Sequence, residues 1–305
     1  MKLLTFTLLF FYLNCLAQLD SGLYYLTELK FNNAKIYLQK NLKNNNYKTS
    51  LLKNIDLHNL ACAYSQMENY KECIKILNTI ITAETIQFIS DQDFYKVSHT
   101  KEWEVLLKKV NQNNRLKLHD TIFRDLVSIG INDQAFYYAI NYYEKKLGMK
   151  AAYEKKEGKP RSKVLMYWDI KDSLNKRNLQ LVKYYLSKNF NVLSDSVVGN
   201  EFAGKCFLVI QHSDQETMEE FLPIIKDLYN KKETAGQRYA LLYDRVSTFK
   251  NNTQYYGTQV NGETKQPFLI KDEKNVDKRR EELGMEPLSK YLMSMGIIYN
   301  PKRKK

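Results

Sequence analysis

Apolar positions recur every three to four residues through most of this chain, the spacing that places them on one face of an α-helix. In "LHNLACAYSQMENYKECIKILNTII" (residues 57–81), Leu57, Leu60, Ala61 and Tyr64 mark one such face. A polar turn at Glu68-Asn69 follows, and Tyr70, Cys73, Leu77 and Ile80 resume the stripe. Helical stripes also cover residues 118–148 and 164–188, and the charged, Gly- and Pro-containing interval between them, "EKKEGKPRSK", reads as a loop. Farther on, "CFLVIQHSDQETMEEFLPIIKDL" (residues 206–228) joins an apolar run to another stripe through a polar knot. FLVI alone fits a buried strand as well as a helix. Phe202, Cys206 and Val209 share a helical face, so a helix is expected. Ser213 with Glu216 three residues on is a capping box, so Ser213 or Asp214 is expected to cap the helix carrying Met218, Phe221, Leu222 and Ile225. Thr234 and Gln237 repeat the device ahead of "RYALLYDRVSTF". There Asp244 and Arg245 interrupt a helix apolar around much of its circumference, and buried charges require partners. One segment breaks the helical rhythm. "NTQYYGTQVNGETKQPFLI" (residues 252–270) turns strand-like around Asn261-Gly262, a hairpin signal, and Gly257 allows a close backbone approach. Two short helices, "VDKRREELGM" and "PLSKYLMSMG", close the chain.

Composition sharpens this picture. Among 305 residues, only 11 Gly and 5 Pro stand against 23 Tyr and 14 Phe, which favours long regular elements. The net charge of +13 invites a nucleic-acid reading. The lysines, however, are scattered and diluted with Asn, as in "NLKNNNYK", and the one dense cluster is the terminal "PKRKK". Diffuse basicity lacks a groove-sized footprint, so no nucleic-acid partner is expected. At the other end, Lys2 precedes an apolar run, residues 3–13, that closes with Cys15-Leu16-Ala17. That is the form of a secretory signal peptide, residues 1–17, with cleavage after Ala17 and a periplasmic or secreted mature chain. The run is too short for a comfortable membrane span, so no integral span is expected after its removal. Asn14 before Cys15 argues against a lipoprotein box. Cleavage leaves Cys62, Cys73 and Cys206, an odd number with no CxxC pair, so neither a disulfide framework nor a thiolate metal site is expected. His58 and His99 have no evident carboxylate or cysteine partner and read as packing or surface histidines. No metal and no cofactor is expected.

Residues 57–81 resemble a tetratricopeptide-repeat hairpin, with Tyr64 and Tyr70 at its aromatic positions and Cys73 where alanine is usual. "NNAKIYLQKNL" resembles the second helix of an earlier, degenerate repeat. "DQDFYKVSHTKEWEVLLKKV" resembles the ending that closes such arrays, with Phe94 and Trp103 burying the last apolar face. The resemblance implies a protein or peptide partner, or a scaffolding role, for residues 18–113.

"IQHSD", "LLYDR" and "QYYGTQ", followed by "VDKRREELGMEPL", resemble the signature of an uncharacterised bacterial domain family, and the likeness reaches back weakly to "INDQAFYY" and "WDIKDSLN". The expected architecture is therefore mainly α: a helical-repeat, tetratricopeptide-like part, residues 18–113, packed on a helical C-terminal domain, residues 114–305, with one β-hairpin. The family brings no activity. From the residues themselves, His212 is a candidate general base oriented by Asp214 or Asp244. Gln211, Arg245, Gln254, Tyr256 and Gln259 are candidates for holding a small anionic or amide ligand. Two readings stand side by side: an interaction, scaffold or ligand-binding protein, and a hydrolase-like enzyme centred on His212. In a third, bland reading the same residues form a hydrogen-bonded joint between helices.

Overall fold

The computed structural model describes residues 21–81, 86–154, 160–262 and 264–299. The segment read as an export signal and the basic tail lie outside the described residues. The chain is mainly helical and divides into two compact units, Leu19–Val192 and Leu193–Lys305. The change of pattern near Asn114 falls inside the first.

In the first unit, α1 (Ser21–Thr27), α2 (Phe31–Asn44), α3 (Ser50–Gln66) and α4 (Tyr70–Ile80) pack each on the next. Small residues make that possible: Ala61, Ala63 and Cys73 are fully or almost fully buried. Thr49 caps α3 by accepting from Leu52 N–H, and Asn69 caps α4 by accepting from Glu72 N–H. Short 3-10 turns then lead to α5 (Lys101–Gln112). Phe94 and Trp103 are both buried with ring centroids 5.4 Å apart, as the apolar pattern anticipates. The unit is completed by α6 (Asp120–Gln134), α7 (Tyr137–Leu147), α8 (Met149–Tyr153) and α9 (Lys163–Ser187).

The second unit opens with α10 (Asp195–Gln211), interrupted at Gly199, whose φ of 81° only glycine adopts without strain. FLVI lies inside α10 as helix, with Phe207, Val209 and Ile210 buried. Next come α11 (Gln215–Asn230) and α12 (Gly236–Asn251), packed on each other. Asp214 is the cap of α11 and accepts from Thr217 N–H at 2.8 Å, while the Ser213 hydroxyl turns back to Val209 C=O. Thr234 does not cap α12. Its hydroxyl accepts from Arg238, and Ala235 holds the cap position with no side-chain bond.

The expected hairpin takes another form. β1 (Thr253–Gln254) and β2 (Leu269–Ile270) pair in parallel, and the antiparallel element is one bridge, Val260 to Pro267. The cause is local: the N–H groups of Tyr255, Tyr256 and Thr258 are not available to a ladder, because they point at a side chain of α12. Two further helices, α13 (Val276–Glu282) and α14 (Leu288–Ser294), end the unit, and Leu288, Tyr291 and Leu292 form a core with Val260, Ile270 and Val276.

Candidate functional site

The side chain at the centre of the second unit is Asp244 on α12, with no exposed surface. Its carboxylate accepts from the backbone N–H groups of Tyr255, Tyr256 and Thr258 at 2.6, 2.9 and 2.9 Å, and from the Thr258 hydroxyl at 2.9 Å. Burial pushes its carboxyl upward, and these four donors oppose the shift by stabilising the charge. To present so many N–H groups to one carboxylate, the chain must curl tightly. Gly257 makes the curl at φ 74°, and a Cβ there would lie 2.6 Å from Leu288 Cδ1.

Around this loop, the other predicted residues bond to backbone and to each other. Gln254 is fully buried, and its amide donates to Gln259 C=O and Phe268 C=O while its oxygen accepts from Gln259 N–H at 2.7 Å. One side chain thus holds two strand-like segments together where a ladder is missing. Gln259 donates to the Thr258 hydroxyl and accepts from Arg245 Nε at 3.2 Å. Arg245 also donates to Gln211 C=O at 2.7 Å, tying α12 to the end of α10. Gln211 in turn reaches Leu241 C=O. Two polar atoms of the cluster, Gln211 Oε1 and a terminal nitrogen of Arg280, have no hydrogen-bond partner among the described residues. Tyr256 is buried, and its ring packs edge-on to Tyr243.

His212 and Asp214 flank this cluster at the junction of α10 and α11. His212 is the partly exposed C-cap of α10, and Asp214 is exposed at the start of α11. Among the described residues, the donors to Asp244 all come from residues 255–258, and His212 is not one of them.

Sequence reasoning missed both arginines of "DKRREE". Arg279 donates to Tyr255 C=O, Lys271 C=O and Asp272 C=O, with its guanidinium 4.0 Å from the Tyr255 ring centroid. Arg280, fully buried, donates to Tyr256 C=O and Glu286 C=O and lies 4.7 Å from the Tyr291 ring centroid. Each side of the loop is therefore gripped: N–H groups by Asp244, carbonyls by Arg279 and Arg280. A helix with the order Arg-Arg amid acids reads as a solvated face, and only the fold turns it inward.

A second buried polar group lies in the first unit. Lys171 on α9 has no exposed surface, donates to Asp133 C=O, and sits 3.9 Å from the Tyr137 ring centroid. Burial lowers its pKa to about 8. Asp133 accepts from Gln134, and Asn178 donates to Ile129 C=O. Asp133 and Gln134 belong to "INDQ" and Lys171 to "WDIKDSLN". The reading of His58 as lacking a partner is also corrected: Cys62 follows it one helical turn later, and the fold brings Asp91 to 3.7 Å.

A cavity of 500 Å³ lies in the first unit, lined by residues such as Tyr143, Lys146, Glu154 and Lys163, and by none of the predicted ligand-binding side chains. No curated protein and no solved structure is significantly similar to the chain. The segment that holds "IQHSD", "LLYDR", "QYYGTQ" and the paired arginines, residues 161–304, does match one family model, that of a family of unknown function, DUF6624.

Proposed function

We propose that this chain is an exported interaction protein, in which the polar motifs fix the framework and the helical hairpins α1–α4 offer the surface for a protein or peptide partner. The observation that carries this reading is the fully buried Asp244 carboxylate, taken up by four donors from residues 255–258. A general base or its orienting carboxylate must reach a reacting group. A carboxylate closed off by a loop instead organises that loop. Export follows from Lys2, the apolar run behind it and the Ala17 ending. Partner binding follows from the tetratricopeptide-like succession of hairpins, whose helices leave apolar side chains such as Ile36 and Leu51 exposed.

Histidine NMR of the mature chain tests this, with His212 assigned by replacement. The expected result is that Asp244→Asn lowers the melting temperature while the His212 titration midpoint stays where it was. Small anions and amides leave the His212 signals unmoved. A His212 resonance that shifts with Asp244→Asn and with such ligands would replace this reading by the hydrolase-like one, with His212 as general base.

A further inference from the structure

His58 and Cys62 stand four residues apart on α3, so both side chains leave the same face of the helix. The fold sets Asp91, which caps the 3-10 turn Gln92–Phe94, against them. His58 Nε2 lies 3.7 Å from Asp91 Oδ2 and 3.7 Å from Cys62 Sγ, and all three donor atoms fall within 4.8 Å of one another. A point therefore exists no further than about 2.4 Å from all three, close to the bonds zinc makes to sulfur, nitrogen and carboxylate oxygen. The neighbourhood already has the supporting contacts that such a centre uses. Asp93 N–H donates to Asp91 Oδ1 at 2.9 Å, which fixes that carboxylate and leaves Oδ2 turned toward the histidine. The His58 ring is stacked on Phe88 with centroids 4.9 Å apart and meets Phe94 edge-on at 5.6 Å. Both contacts orient the imidazole and hold water off.

Charge points the same way. Asp91 and the buried Asp93 lie together, and among the described residues the ion-pair partner of Asp91 is His58. Two aspartates and a thiol gathered around one histidine form an arrangement that a divalent cation would relieve.

We propose that His58, Cys62 and Asp91 bind a thiophilic divalent cation, with zinc the best fit to one thiolate, one imidazole and one carboxylate. Binding breaks the Cys62 S–H bond and forms a sulfur–metal bond. The proton is released to solvent on the Asp91 side, where that carboxylate is partly exposed. The ion would clamp α3 to the turn that precedes α5, and it would leave a fourth coordination position for water or a partner's side chain. This proposal is independent of the interaction reading.

The test is titration of the mature, chelator-stripped full chain with Co²⁺, followed by displacement with Zn²⁺. One equivalent of Co²⁺ is expected to give tetrahedral ligand-field bands and a near-ultraviolet thiolate-to-cobalt band, both removed by Zn²⁺. Cys62→Ser abolishes the thiolate band, whereas Cys73→Ala and Cys206→Ala keep it. Asp91→Asn, which retains the capping oxygen, and His58→Gln each weaken binding by about 100-fold or more. The wild-type spectrum reports sulfur ligation without any variant, so a variant that fails to fold does not block the test. The proposal is overturned by an absence of stoichiometric Co²⁺ binding to the folded wild type. It is overturned equally by a thiolate band that survives Cys62→Ser.

Discussion

Asp244 shows how one residue can decide the shape of a loop. Its two oxygens accept from three backbone N–H groups and one hydroxyl, all from residues 255–258. Asp244→Asn keeps the size but turns an NH₂ group toward donors, so buried N–H groups lose their acceptor. The expected loss is about 3–5 kcal/mol, the scale for breaking a buried charged interaction, read from the denaturant midpoint. Gly257→Ala tests the other half of the same device. Its φ of 74° strains any side chain, and the new methyl would meet Leu288, which is fully buried. A cost of about 1–3 kcal/mol is expected in the same assay. The need for Asp244 to be partnered was legible, since a charge inside an apolar helix demands it. The identity of the partners was not. Backbone N–H groups carry no residue signature, and nothing in "YYGT" announces that its amides point at a carboxylate on α12.

At the level of elements, the helices were legible because their stripes are local, and α10 absorbs FLVI as its pattern with Phe202 and Cys206 indicates. Caps were half legible. "SDQE" offered two candidates, and the fold uses Asp214, whose extended backbone leaves its carboxylate free to reach Thr217 N–H. Asp214→Ala is expected to cost about 1 kcal/mol, the ordinary value of an N-cap, which thermal unfolding measures. The hairpin misled because Asn-Gly specifies a turn and not the pairing of the strands beside it. Here the pairing is set by Gln254, whose side chain occupies the donor and acceptors that a longer ladder would use. Gln254→Leu strands the Gln259 N–H and two carbonyls. A loss of about 3 kcal/mol is expected, together with faster hydrogen exchange at Gln259 N–H.

For the whole molecule, helical class was readable from pattern and composition, while the inward-facing cations were not. Lys171, Arg279 and Arg280 lie in stretches that read as solvated faces, and only long-range packing buries them. Burial of Lys171 has a consequence for the stability of the full chain. Its pKa falls to about 8 in the folded state, below the ordinary lysine value of 10.5. Between those values the unfolded chain binds more protons than the folded one, so stability rises with pH. The penalty for burying the cation is fully present below pH 8 and lifts as pH climbs above it. Tyr153 and Tyr185 act in the opposite sense, because burial holds their hydroxyls well above the usual range and their contribution fades once unfolded tyrosines ionise near pH 10. The unfolding free energy is therefore expected to increase by on the order of 2 kcal/mol from pH 7 toward pH 10 on account of this lysine, then to decline. Chemical denaturation across that range, wild type against Lys171→Met, isolates the contribution. Methionine fills similar space without a charge, so its profile should lose the rise above pH 8 and keep the decline at higher pH. A rise that persists in Lys171→Met would mean that the buried ammonium is not its source.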